Sequence, residues 1–353
     1  MDKKKVDTII VGGGFAGLFL AYQLLSRKCS FVLFSDHKTG ASLISAGVVN
    51  PVILKKFSIF PEGGKQLACL AQVLGGMESI LQEKIKVTEP VYRIFHSEKE
   101  KEIWIKKSSQ KELQPFLSTT FSHFEGIENP FGCGKVFGSF RIEVEVLITK
   151  MKEYLEKRGC LIREKFEYRK LRKSEYENIK CQRIIFAEGI GVKKNPFFGD
   201  LPVIPNKGHK IGVRFLEQDF ALKKTIKKKH FLFPLNASQY YYGGTYDRDN
   251  ISAGVDCDAL EELKKSLKEI TEIPYIIENR GVAHRPTVLD RKPILGRHKN
   301  EPHLYILNGL GTRGILNAAY YSSMLIDFIE KGMSLPKEVS VDRFMVEEYT
   351  SKR

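Results

Sequence analysis

The stretch Val6–Asp36, VDTIIVGGGFAGLFLAYQLLSRKCSFVLFSD, reads as strand, turn, helix and strand. Asp7 to Val11 is a short apolar run of β-forming residues, and Phe31 to Phe34 is another. Between them Leu18, Ala21, Tyr22 and Leu25 recur at helical spacing. The turn GGGFAG sets Gly12, Gly14 and Gly17 around Phe15 and Ala16. Gly12 permits the tight turn, Gly14 lets a pyrophosphate approach the backbone, and Gly17 lets helix and strand pack closely. Free N–H groups at the helix start then face the phosphates. This is the pattern of a Rossmann-type dinucleotide-binding unit. A ribose-binding acid belongs at the end of the second strand, but there Ser35 stands and Asp36 follows. Either Asp36 reaches the ribose through a shifted loop or Ser35 bonds it. The glycines alone do not separate FAD from NAD.

Outward from this unit, 41–51 turns small and loop-like, and 52–139 mixes short β-type runs with glycine pairs at Gly63 and Gly75. Val144, Leu147, Ile148, Met151 and Leu155 form a helical stripe that Gly159 can close. Arg183 to Ala187 reads as a buried strand with a sharp exit at Gly189 and Gly191, where Ala187 and Gly189 are expected to border the cofactor. Strands are expected at Phe231–Leu235 and Tyr240–Thr245, and a helix from Asp258 to Ile270 with Asp258 as N-cap and Glu261 completing the box. A strand at Leu304–Leu307, a glycine-rich turn and a helix from Ile315 to about Phe328 repeat the opening logic. The alternation predicts an α/β protein. Its nucleotide domain is assembled from 1–51, 140–200 and 281–353, and a strand-rich α+β substrate domain (52–139 and 201–280) is inserted.

A chain of 353 residues, 42% hydrophobic and 28% charged, lies in the ordinary globular range and excludes disordered and fibrous classes. Six cysteines without a CxxC pair and eight histidines without HExxH spacing spell out no metal site, and reduced, mostly buried thiols are expected. Lysines before the apolar run Val6–Leu25 imitate a signal peptide, but three consecutive glycines interrupt it. No other run reaches the roughly 18 apolar residues of a membrane span, so a cytoplasmic protein without a membrane partner is expected. The formal charge of +15 suits a polyanion such as tRNA. The excess lysine, densest at Lys223, Lys224, Lys227, Lys228 and Lys229, also reads as a solvated face.

Four stretches together resemble the D-amino-acid oxidase and glycine oxidase superfamily of FAD-dependent enzymes: GGGFAG, SAGVVNPV at 45–52, GVAHRPTVLDRKPILG at 281–296 and NGLGTRGILNA at 308–318. The resemblance implies FAD, held non-covalently. It implies that Ser42, Ser45, Ala46, Gly47 and Val48 line the flavin, where small residues let a flat ring approach. Gly311, Thr312, Arg313, Gly314 and Ile315 inherit a second cofactor turn at a helix start, which can stabilise charge at the flavin's pyrimidine end. Asn308 borders the same pocket. Arg285 inherits the substrate-carboxylate position, for which a guanidinium fork is suited.

Alternation sends Tyr240 and Tyr242 to one face and Tyr241 to the other; Tyr242 and Tyr246 are the candidate hydroxyls for the substrate cavity. The implied reaction is oxidation of a C–N bond in an amino acid or secondary amine bearing a carboxylate, with hydride to flavin N5 and imine hydrolysis. GGTYDRD at 243–249 also resembles the oxidoreductase domain of the bifunctional tRNA wobble-uridine modification enzyme, which implies carboxymethyl removal from tRNA. A non-catalytic flavin redox protein is the third reading. The oligomeric state is not legible.

Overall fold

The structure, a computed structural model, describes residues 4–344 apart from 37–39, 61, 174 and 218; the outermost expected domain bounds at 1–3 and 345–353 lie outside the described residues. The opening stretch folds as strand Lys4–Val11, helix Phe15–Ser26 and strand Phe31–Phe34. These strands join a sheet in which Leu161–Ile162, Phe31–Phe34, Lys4–Val11, Ile179–Phe186 and Leu304–Asn308 run parallel in that spatial order. Ile294–Arg297 adds antiparallel to Leu304–Asn308. Parallel strands must be covered on both faces, and here they are. On one face the helices Phe15–Ser26, Val144–Lys157 and Gly314–Lys331 bury Leu18, Leu147, Met151, Leu316 and Leu325. On the other, Ile9, Val32, Ile184 and Ile306 meet Phe166, Tyr176, Phe198 and Val203.

A second, mostly antiparallel sheet runs in the order Tyr275–Val288, Val203–Phe215, Gln239–Gly243, Phe231–Pro234, Thr225–Lys227, Val91–Ile94, Cys133–Val136, Leu117–Ser122. Helix Cys257–Lys268 packs Leu260, Leu263 and Leu267 against one face, over Ile211, Val213, Tyr240 and Tyr242. The other face carries Tyr241, Phe233 and Arg285.

Several expectations need correction. The 41–51 loop contains a short helix, Ala41–Ile44, and a strand, Val48–Val49, that pairs with Phe140–Ile142. The Gly63 and Gly75 pairs, read among short β-type runs, belong to one helix, Gly63–Leu81. Close packing explains Gly76, because a Cβ there would lie 1.7 Å from the hydroxyl of Tyr22 on the first helix. That helix buries Leu70, Leu74 and Met77 in the nucleotide-side core, although 52–139 was assigned to the substrate domain. Helix Glu98–Ser108, capped where Ser97 Oγ accepts from Glu100 N, was not foreseen. Asp258 is no N-cap: the helix begins one residue earlier behind Asp256, whose carboxylate takes Lys207 Nζ at 2.6 Å instead. Of the cysteines only Cys133 and Cys181 are fully buried, and Cys257 is exposed. Among the described residues no helix is long and apolar enough to cross a membrane.

Candidate active site

Four parallel strands end at one edge of the first sheet, at Gly12, Ser35, Ala187 and Gly309, where ligands of open α/β sheets bind. Gly12 has φ +114°, and a Cβ there would lie 2.3 Å from Ala187 O. A Cβ on Gly17 would lie 1.8 Å from Gly12 O, so both positions require glycine. Gly14 precedes the helix, whose Phe15 N–H donates to Ser42 Oγ at 3.0 Å; Ala16 is buried behind it. Ser42 therefore touches the first glycine turn. Ser35 is buried beneath Gly13, its Oγ donating to Asp36 O at 3.3 Å. Asp36 is half-buried, and its charge reaches Lys152.

The small-residue stretch lies against Phe140–Ile142. Gly47, at φ +66°, holds its O 2.9 Å from Ile142 N, and Val48 pairs with Arg141. Ser45 Oγ is buried with no protein partner among the described residues, beside half-buried Ala46. The C-terminal turn adjoins the first: a Cβ on Gly314 would touch Phe15 at 3.5 Å. Gly311 has φ +62° with open space around it, Thr312 and Arg313 are exposed with the Arg313 guanidinium over Phe60, and Ile315 is buried. Asn308 Nδ2 donates to Gly189 O at 2.9 Å and ties this turn to the Ala187 exit. Two glycine turns at helix starts, one open stretch of backbone and an orphaned serine hydroxyl fit a dinucleotide that carries a flat ring.

Arg285 lies in the long strand Tyr275–Val288, opposite Asn206. Its Nη1 donates to Asn206 Oδ1 and to Thr245 O, both at 3.0 Å. Both contacts fall on one nitrogen. A Cβ on Gly208 would lie 2.3–2.5 Å from three guanidinium atoms, so the side chain lies flat over that glycine. Burial pushes the guanidinium pKa down without discharging it.

The structure separates the tyrosines. Tyr242 is a correction: it faces the helix Cys257–Lys268, donates to Ser266 Oγ at 2.9 Å and lies across the sheet from Arg285. Tyr246 is exposed beside Arg248, whose Nη2 donates to its hydroxyl at 3.0 Å. Tyr241, not chosen from sequence, shares the Arg285 face. A Cβ on Gly244 would lie 2.9 Å from Arg285 Nη2 and 3.9 Å from Tyr241 OH, so both groups border one point. Its ring stacks on Phe233 at 4.7 Å and 7°, and burial pushes its pKa up to about 12 against the pull of Arg285. Alternation had put Tyr241 on its own face; which face met the cavity depended on the helix Cys257–Lys268. This second sheet reaches the edge of the first through Pro286, 3.7 Å from a Cβ on Gly189, and through Arg141, whose guanidinium lies 4.6 Å over Phe233.

The first sheet thus offers two glycine turns at helix starts, and the second presents an arginine and a tyrosine on one face. The chain belongs to the DAO family, FAD dependent oxidoreductase, which matches residues 7–327. It is 22% identical to glycine oxidase of Bacillus subtilis (strain 168), with 96% of each chain covered. Among solved structures it is similar to iminodiacetate oxidase from Chelativorans sp. BNC1 (TM-score 0.77, 18% identity, 94% of this chain and 97% of that one). It is also similar to glycine oxidase from Bacillus cereus (TM-score 0.75, 19% identity, 93% and 96%).

Proposed function

We propose that this FAD-dependent oxidoreductase oxidises the C–N bond of an amino acid or secondary amine that carries a carboxylate. The observation that carries this reading is that Arg285 Nη2 and Tyr241 OH lie on one face, 2.9 and 3.9 Å from a Cβ on Gly244. The Gly12–Gly17 turn would hold the pyrophosphate, Ser35 and Asp36 the ribose, and Ser42–Val48 with Gly311–Ile315 the flavin end, all without a covalent bond. FAD supplies the hydride acceptor when bound. The free Nη2 and Nε of Arg285 clamp the carboxylate, while Asn206 Oδ1 and Thr245 O fix the fork. Tyr241, protonated near neutral pH, donates a hydrogen bond to the same carboxylate. Phe233 stacks on its ring and supports it from the side. The substrate nitrogen binds as the neutral amine, so no side-chain base is assigned.

The test is Arg285→Ala and Arg285→Lys. Both should keep FAD and lose roughly 10-fold to 150-fold in kcat/KM on carboxylated amines, the worth of one charge-assisted hydrogen bond of about 1.5–3 kcal/mol. Lysine keeps the charge but loses the planar fork. The loss should vanish on an amine without a carboxylate. Arg285→Ala protein that sheds its FAD would make the residue structural and end this assignment.

A further inference from the structure

Lys210 is the cation on the substrate face that this reaction does not use. It lies in strand Val203–Phe215, opposite Gly243 on one neighbouring strand and Gly281 on the other. Alternation puts it on the face of Asn206, Gly208 and Gly212, which is the face of Arg285 and Tyr241. The flanking glycines give its long stem room to lie down. A Cβ on Gly281 would meet Lys210 Cε at 3.0 Å and Ile44 Cδ1 at 3.1 Å, so the stem runs beside the residue that precedes the Ser45–Val48 stretch. Its Nζ stands 5.6 Å from the centre of the Tyr241 ring.

This half-buried ammonium has no ion-pair partner among the described residues. Glu145 acts on it only at longer range, and Glu143 is engaged by Arg141 Nη1 at 2.8 Å. Arg141, which pairs with that carboxylate, lies over Phe233 on the same face and leaves Lys210, among the described residues, as a cation there without a counter-charge. Cations withdrawn from water in this way favour an anionic ligand.

We propose that Lys210 is a second anion anchor, and that the substrates are amines bearing two carboxylates. The Arg285–Tyr241 pair holds one carboxylate and Lys210 the other. This rests on the reading of Arg285 above and adds the substrate class. The second carboxylate can sit on the nitrogen, as in an N-carboxymethyl amino acid, or on the side chain, as in an amino dicarboxylic acid; the chemistry recognised is the same.

The test uses unreactive acids on the FAD-loaded enzyme, with dissociation constants read from the perturbed flavin spectrum. Diglycolate against methoxyacetate probes two acids across a central atom, and succinate against propionate probes two acids across carbon. At least one diacid should bind about 10-fold or more tightly than its monoacid partner, and which pair does so identifies the source. Lys210→Met should bring that ratio toward one, and Lys210→Arg should retain part of it. Ratios near one for both pairs in the wild type overturn the proposal, and that arm needs no variant. So does a Lys210→Met protein in which both members of a pair weaken equally, which would make Lys210 a flavin-side group. Binding is measured without turnover. Tight diacid binding by an enzyme that no carboxylated amine reduces would therefore uphold the anchor while ending the reaction proposed above.

Discussion

Gly208→Ala moves Arg285 without removing its charge. The added methyl would sit 2.3 Å from Nη2, 2.4 Å from Nη1 and 2.5 Å from Cζ, where ordinary contact begins at 3.4 Å. The guanidinium is the free end of a flexible side chain, whereas the backbone around Gly208 is held by Tyr275–Val288 on one side and by Thr245 and Asp247 on the other. The side chain therefore yields, by about 1 Å, and its Nη1 contacts to Asn206 and Thr245 lengthen with it. A misplacement of that size in a positioning group is worth about 100-fold in rate. We expect kcat/KM for carboxylated amines to fall by about that factor, with unchanged FAD content, because Gly208 touches neither nucleotide turn. The assay is steady-state kinetics beside the flavin-to-protein absorbance ratio. An alanine variant with wild-type kcat/KM would refute the placement of Arg285.

Gly14→Val should yield apoprotein, since its first added carbon already lies 3.0 Å from Ser42 Oγ and the remaining methyls fill the approach to the turn; wild-type protein should release FAD, not FMN, on heating, and a variant with full FAD would contradict the pyrophosphate assignment. Burial holds His209 below its ordinary value of about 6.5, so on acidification the unfolded chain takes up a proton before the folded one does. Its contribution to stability is complete above that value and is lost as pH falls toward the folded pKa, at no more than about 1.4 kcal/mol per pH unit. Urea unfolding at pH 7.5 and 5.5 should show this slope in the wild type and a shallower one in His209→Gln. If tRNA is a partner, as the charge of +15 left open, its affinity should fall steeply with salt; no binding at low salt would end that reading.

Much of the nucleotide side was legible because two periods are written plainly in Val6–Asp36, one for the strands and one for the helix, with glycines where the backbone is crowded. Helix Gly63–Leu81 was not, since a glycine pair marks a break unless its packing partner is known, and Tyr22 lies more than fifty residues away. Asp258 reads as the cap because Glu261 stands three residues on, a local pattern; the helix instead starts behind Asp256, whose carboxylate is turned to the distant Lys207. Alternation separated Tyr241 from Tyr240 and Tyr242. It did not tell which face a helix would cover, and so the candidate hydroxyl was placed on Tyr242. Lys210 passed as one of many basic residues until the sheet register set it beside Arg285 and Tyr241.

Anaerobic mixing of the purified, FAD-loaded protein with glycine, sarcosine, proline, D-amino acids and amines bearing two carboxylates tests the central claim most directly. The account predicts that at least one of these carboxylated amines bleaches the oxidised flavin bands, and that its decarboxylated analogue does so far more slowly. A flavin that none of them reduces, and that only dithionite bleaches, would contradict it.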